Sequence, residues 1–341
     1  MTAAYPIPAW RVSLDGTDLT ARMAPRLLEL TLEEARGDEA DQLDIRIHDH
    51  DGRMAIPARG AVLQVAIGWA GSGLVDKGQF TVDEVEHSGS PDIISIRARS
   101  ADFTKAMRTR KEKSWHKTTL GAILKAIAGK HGLKAKIDAA LAAIKISHLD
   151  QTNESDVHFL TRLAKRFDAI ATVKAGALLF SPVGKGQTAD GTPLPDVTLA
   201  RRDGDQHRYS IAGRDSYTGV RAFWADKKGA TQHDVLVGDD ENAKRLPGTY
   251  HSEQEAREQA EAANKRIQRG SATMSYTMAL GRADLYPEQR ATVTGFKPEI
   301  DATEWLIVKA RHQITGSGGF TTQVELETAL DGPGDDSQPE G

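Results

Sequence analysis

Between Leu149 and Ala169 the chain reads LDQTNESDVHFLTRLAKRFDA, and this stretch constrains the fold more tightly than any other. An acidic, amide-rich opening runs into an amphipathic segment, and a strand pair follows at once. Val157, Leu160, Ala164 and Phe167 recur at the spacing that places side chains on one helical face, with Leu163 beside them. Arg162, Lys165 and Arg166 fall elsewhere, toward the C-terminal end, where cations complement the helix dipole. Asn153 or Ser155 is placed to cap the N-terminus, and Glu154 and Asp156 occupy the favourable first turn. The pattern predicts a helix over Asn153–Phe167 with Leu160 and Phe167 in a core.

The rest of the chain is read against that helix. Residues 1–100 have the texture of strands. Leu43, Ile45 and Ile47 alternate with Asp44, Arg46 and His48, the period of a half-buried strand, and the DHDG turn at Asp49–Gly52 ends it. Ala61–Trp69 is a second strand; Phe80, Val82 and Val85, then Ile93, Ile94 and Ile96, supply two more around SGSPD. After Ser100 helices enter. Thr118 or Thr119 caps a helix carrying Leu120, Ile123, Leu124 and Ile127 and closed by Gly132. AIATVKAGALLFSP reads as a hairpin turning near Ala175–Gly176, and residues 184–206, rich in Gly, Pro, Asp and Thr, as a linker or an exposed excursion. Strands return at Val220–Asp226. One helix interrupts them, with a capping box at Ser252 and Glu255, an inner face of Ala256, Ala260, Ala263 and Ile267, and an end at Gly270. SATMSYTMAL, RATVTGF, EWLIVKARHQI and FTTQVELE complete a β segment, and the tail 331–341 is expected to be disordered.

An internal echo bears on the architecture. Residues 78–100 and 303–329 each hold an apolar strand ending at a histidine (His87, His312), a Gly/Ser-rich turn and an alternating strand. Many hairpins share that order. The sharper reading is an α+β, β-rich fold with two small β-barrel domains at 1–100 and 205–330 flanking a helix-containing α/β insertion and linker at 101–204.

Composition excludes several function classes. A net charge of −4 over 341 residues argues against a dedicated nucleic-acid binder, which carries a strongly basic face. The absence of cysteine rules out disulfides, thiolate metal sites and a cysteine nucleophile. The start MTAAYPIPAWRVSLDG lacks the layout of a secretory signal, and no apolar run is long enough for a membrane span.

Each patch of chemistry has a plainer reading beside it. His48, Asp49, His50 and Asp51 have metal-ligand types, with His48 and His50 on one strand face, but also suit a polar strand end and turn. Asp83, Glu84 and Glu86 raise the question of a glycosidase pair; adjacent Asp83 and Glu84 face opposite sides, and a solvated strand face explains them. Gly316–Gly319 is a turn between strands, not a phosphate cradle. The basic run Lys105, Arg108, Arg110, Lys111, Lys113 and Lys117, with Trp115 and His116, suits either phosphate backbones or a solvated loop leading to Leu120. No catalytic, cofactor-binding or metal-ligating residue is assigned, and no helix-turn-helix with a basic recognition helix is apparent.

The acidic-Gln-Thr-x-Glu-Ser-Asp start, followed by Phe-Leu-Thr-Arg-Leu-Ala, closely resembles the late control D family of contractile-tail phages. FTVDEVE with the SADF segment, and the terminal GFTTQVELE, extend the resemblance over roughly residues 5–330. It implies a non-enzymatic baseplate hub of a contractile phage tail or tailocin, related in fold to the N-terminal hub part of type VI secretion spike proteins. It implies no cofactor. It also implies a homotrimeric ring joining tail tube to central spike, in which duplicated barrels present similar faces to a six-fold tube. The implied partners are the spike, tube and other baseplate proteins, with DNA as passing cargo, in a virion tail assembled in the host cytoplasm. The basic run then becomes a surface meeting a neighbouring tail protein or facing the channel. Two alternatives remain: a tail-associated cell-wall hydrolase, and the hub of a type VI secretion-like system. The chain's end at Gly341 without a spike domain sets the expectation against the second.

Overall fold

A computed structural model describes residues 6–37, 40–100, 105–174, 176–187, 192–211, 217–226 and 231–330. Ala175 of the expected hairpin turn, residues 101–103 of the SADF segment and the tail expected to be disordered lie outside the described residues.

Alternation builds most of the molecule. Along Gln42–His48, Leu43, Ile45 and Ile47 are buried while Arg46 between them is exposed. Among the described residues, strands of this kind assemble into one 13-stranded sheet. In spatial order it runs Gly204–Ile211, Ala272–Met278, Phe320–Thr328, Glu304–Thr315, Leu27–Ala35, Gln42–His48, Ile93–Arg99, Gly73–Ser88, Val62–Trp69, Pro8–Leu14 and Thr17–Asp18. Val197–Ala200 joins through a parallel pairing with Arg290–Thr294, which also pairs with Glu304–Thr315.

The two-barrel expectation is modified at the middle of this order. Glu304–Thr315 lends its second edge to Leu27–Ala35, with Lys309 opposite Ala35 and Thr315 opposite Glu29. Among the described residues no strand pairing closes either half into a separate barrel. The physical reason is edge cover: each of these strands would otherwise expose a row of unpaired backbone groups. Each half keeps its own core all the same. One is built around Leu30, Leu43, Ile45, Val65, Phe80 and Ile94, the other around Met274, Tyr276, Val293, Trp305, Ile307 and Val324. Ile314 and Phe320 of the C-terminal hairpin pack into the first core, so the halves interlock. At the turn of that hairpin a Cβ on Gly316 would lie 1.8 Å from the Leu27 carbonyl oxygen, so only glycine lets the turn sit against the first half.

The insertion between the halves is helical and β as expected. Thr119 caps Leu120–Lys130, accepting from Ala122 N at 3.2 Å. Ser155, not Asn153, caps Asp156–Arg166, accepting from His158 N. Its buried face is Phe159, Leu160, Leu163 and Ala164; Val157 and Phe167 are only half-buried and pack at the margin. Ala169–Lys174 and Ala177–Pro182 form the expected hairpin, extended by Lys134–Ile137. Arg110–Thr119, expected as a basic loop, is instead a strand paired with Lys145–Ser155.

Two boundaries shift. Residues 184–206 contain the strand Val197–Ala200, whose Val197 and Leu199 are buried, so the linker texture covers only part of that stretch. The region expected as the second barrel also holds a separate three-stranded sheet, Thr231–Gly238, Gly219–Asp226 and Ala243–Tyr250. Helix Glu253–Arg269 packs on it through Ala256, Ala260 and Ala263, capped by Ser252 as expected.

Candidate functional site

The sequence candidates disperse into structural pairings. Asp51 forms a two-pronged pair with Arg26 at 2.6 and 2.7 Å, and that guanidinium holds its carboxyl well below the usual range. Asp49 is buried and accepts from Met54 N at 3.0 Å, fixing the turn. Asp83 pairs with Arg99 at 3.1 Å and Glu84 with Arg97 at 2.9 Å, cross-strand rungs rather than a catalytic couple. Among the described residues no group of three or more His, Asp or Glu side chains is arranged to hold a metal. Gly316–Gly319 is a turn between two strands, as expected. His87 and His312 each lie on the first strand of an antiparallel hairpin, but in different surroundings: His87 is exposed near Asp49, and His312 is fully buried.

His312 leads to the feature that distinguishes this molecule. It sits at the seam where the halves share their sheet, within a buried polar network. Glu34 accepts from Lys77 Nζ at 2.6 Å and from His312 Nε2 at 3.1 Å. Lys77 also donates to the Leu285 carbonyl at 3.3 Å and lies 3.8 Å from the centroid of the Tyr286 ring. His312 Nδ1 and Thr322 Oγ1 are 2.9 Å apart, and Thr322 Oγ1 accepts from Arg282 N. One tautomer satisfies every group: Nε2–H donates to Glu34, and Nδ1 accepts the Thr322 hydroxyl proton. Burial would push the Glu34 carboxyl up, but Lys77 and His312 beside it hold it below its ordinary value. Burial pulls Lys77 down against the pull of Glu34, pulls His312 down and pushes the Tyr286 hydroxyl up to about 12. Both directions favour an ionised Glu34 beside a neutral His312, with the Lys77 ammonium group placed against the carboxylate.

A second network joins the other bodies. Arg36 reaches Glu288 and, at 2.5 Å, Glu327. Arg269 grips Asp168 with both terminal nitrogens, at 2.5 and 2.7 Å, and reaches Glu327 at 3.1 Å. Glu288 accepts from Gly184 N at 2.6 Å, and burial pushes its carboxyl up despite Arg36. Arg36 belongs to the first half, Glu288 and Glu327 to the second, Arg269 to the alanine-faced helix and Asp168 to the insertion. One chain of charges thus ties all four cores together, and Arg166 adds pairs to Glu255 and Glu258 at 3.0 and 3.2 Å. Buried pairs of this kind contribute position more than net stability, because desolvation offsets most of the attraction. Inside the insertion, Asp156 plays a similar part. It is buried, paired with Lys111 and His131 and bonded by Gln151.

The sequence reading named none of Glu34, Lys77, Arg36 or Arg269. A signal was present for two residues of the seam. Leu30, Leu32 and Glu34 share one strand face, as do Ala310, His312 and Ile314, so Glu34 and His312 stand where the period calls for apolar residues.

The seam has a pH signature. With its value in the fold depressed below 6.5, His312 binds fewer protons in the folded than in the unfolded chain over the window between those values. Its contribution is present above the ordinary histidine value and lost as pH falls through that window. Glu34, also depressed, adds a loss of the same sign in the carboxylate range. The charged groups acting on His312 are Glu34 and Lys77. Urea midpoints should therefore fall between about pH 7 and pH 5, and His312→Gln, less stable at neutral pH, should lose less over that interval. An equal slope in wild type and variant would place the acid sensitivity elsewhere.

Comparison with known proteins adds the family context. A family model described as the phage tail baseplate hub matches residues 41–318. The chain is 44% identical over 363 residues to the probable baseplate hub protein of Escherichia phage P2, covering 95% of this chain and 94% of the phage protein. Its structure is similar to the 43 kDa tail protein of prophage MuSo2 from Shewanella oneidensis, with a TM-score of 0.68 and 14% identity over 94% of this chain and 98% of that one. An Escherichia coli protein described as a component of the type VI secretion system is similar with a TM-score of 0.56 and 13% identity, over 94% and 77% of the two chains. At those identities the structural likenesses speak for the fold alone.

Proposed function

Since the chain belongs to the phage tail baseplate hub family, we propose that three copies of it ring the tail axis, join the tail tube to the central spike and leave a channel for DNA. It is a structural protein of the virion tail, not an enzyme. The observation that carries the ring is the pair of open edges at the two ends of one sheet. At one end Gly204–Ile211 has a single strand neighbour among the described residues, and Ile211 is 66% exposed. At the other, among the described residues, the outer side of Pro8–Leu14 is covered near its end by the short strand Thr17–Asp18 and by Leu19 and Thr20, which bond to Val12, and Ile7 at its start is 67% exposed. Open strands with exposed apolar residues invite a covering partner. Two different edges on one copy favour a head-to-tail contact that closes into a ring.

Each half of the sheet, with its own core, is read as one of two related barrel-like lobes, near residues 1–100 and 205–330. Three copies would then offer about six comparable faces to a six-fold tube. The insertion at 101–204 sits outside that ring or at one end of it. The ionic seam and junction keep lobes and insertion in fixed relation, which a hub needs when contraction loads it. The spike, the tube and other baseplate proteins are the partners.

Electron cryomicroscopy of assembled tails tests the reading. Three copies should lie at the junction of tube and spike, each interface burying about 2,000 Å² or more, and Ile211→Asp should lower incorporation without unfolding the isolated chain. Six copies, or a place in sheath or fibres, would overturn it.

A further inference from the structure

We propose that His116 and His148 form a binding site for a divalent late first-row transition-metal ion such as Ni²⁺ or Cu²⁺, with Asp150 as the group that orients His148. The two histidines stand directly opposite each other on the antiparallel ribbon made by Arg110–Thr119 and Lys145–Ser155. Their rings stack, with centroids 4.7 Å apart and planes inclined by 26°. The two Nδ1 atoms face each other at 3.0 Å. Asp150, two residues along the same strand and so on the same face, lies 2.8 Å from His148 Nε2.

This arrangement decides the tautomer. The Asp150 carboxylate accepts the Nε2–H of His148, which leaves the His148 Nδ1 lone pair available on the side where His116 Nδ1 lies 3.0 Å away. Without metal, His116 Nδ1–H donates into that lone pair. With metal, His116 takes the tautomer that carries its proton on Nε2, exchanged through solvent, and the ion takes the freed Nδ1 lone pair of each neutral ring. Bonds of about 2.0–2.1 Å to two nitrogens at this separation give an angle near 90°, the cis angle of square-planar or octahedral ions. Tetrahedral Zn²⁺ needs the nitrogens a few tenths of an ångström further apart. The carboxylate behind the ligating imidazole is the usual support of a metal-bound histidine. Access is open, since the His148 side chain is 49% exposed and that of Asp150 45%. Water completes the coordination.

The consequence is a staple. The ligands are 32 residues apart in sequence and lie on the two strands of the ribbon. An ion bound there holds the folded insertion and not the unfolded chain.

Isothermal titration calorimetry of the chelator-stripped, tag-free full chain with NiCl₂ tests the site. One ion per chain is expected. His116→Ala and His148→Ala should each abolish saturable binding, and Asp150→Asn should weaken it about tenfold. Ni²⁺ should raise the melting temperature of the wild type but not that of either histidine variant. Circular dichroism of His116→Ala and of the gentler His148→Gln, expected to match wild type at these exposed positions, separates loss of ligand from loss of fold. No saturable heat in the wild type, or one-to-one binding that persists in both histidine variants, would overturn the proposal and leave the pair as a hydrogen-bonded couple only.

Discussion

Lys77→Met is expected to destabilise the protein by about 3–5 kcal/mol, the usual cost of removing one partner of a buried ion pair. The Lys77 side chain is fully buried and its partner Glu34 nearly so. The methionine fills the space of the lysine stem, so little of the loss comes from packing. What remains is a carboxylate out of water, held by the Nε2–H of a neutral His312 alone. Protonation of Glu34 or of His312 is the escape, and either breaks the charge arrangement described above. Glu34→Gln is the complementary variant: its amide oxygen still accepts from His312, but Lys77 loses its counter-charge. Lys77→Met with Glu34→Gln together should cost less than the sum of the two, with a coupling of about 1–3 kcal/mol in a double-mutant cycle. Additive losses would mean that the two side chains act independently and that the seam is held by backbone pairing alone. Because Glu34 lies on the strand shared by both halves, the cycle reads the coupling on which the hub proposal depends.

How far the sequence carried the fold depends on the range of the interactions involved. Local signals narrow the helix starts to one or two residues: Thr119 (of Thr118 or Thr119), Ser155 (of Asn153 or Ser155) and Ser252 each satisfy a backbone donor within three residues of themselves. The alternation of Leu43, Ile45 and Ile47 likewise needs no distant partner to be seen. The joining of the two halves is different. Strand Leu27–Ala35 meets Glu304–Thr315 across most of the chain, and no local pattern specifies which edge a strand will cover. The basic run misled for a related reason. Lys111 is a strand residue paired to Asp156 far along the chain, and only the fold shows that pairing. The charged seam left a faint trace in Glu34 and His312 at inward positions, whereas Arg36 and Arg269 sit at element ends where period carries no information. The echo at His87 and His312 falls on two antiparallel hairpins with different chemistry, because burial is set by what packs across from each.

The insertion helix supplies the other large expected effect, and it separates two placements of its apolar face. The spacing of Val157, Leu160, Ala164 and Phe167 puts the centre of the face near Leu160. In the structure the face is rotated toward Phe159 and Leu163, both 0% exposed, while Val157 and Phe167 lie at its margin. The rotation has a cause in the first turn. Asp156 is drawn inward by Lys111, His131 and Gln151, and residues three and four further on, Phe159 and Leu160, follow it on the same side. Phe159→Ala should therefore cost about 3–5 kcal/mol and Leu160→Ala about 2–5 kcal/mol, the ranges for large side chains removed from a packed core. Val157→Ala should cost less than either. Thermal or urea unfolding followed by a probe in the insertion distinguishes the two placements. A Val157→Ala loss as large as that of Phe159→Ala would restore the face read from spacing alone. A large Phe159→Ala loss beside a small Val157→Ala loss would centre the face on Phe159, the rotation that turns Arg166 toward Glu255 and Glu258 and so ties the insertion to the rest of the hub.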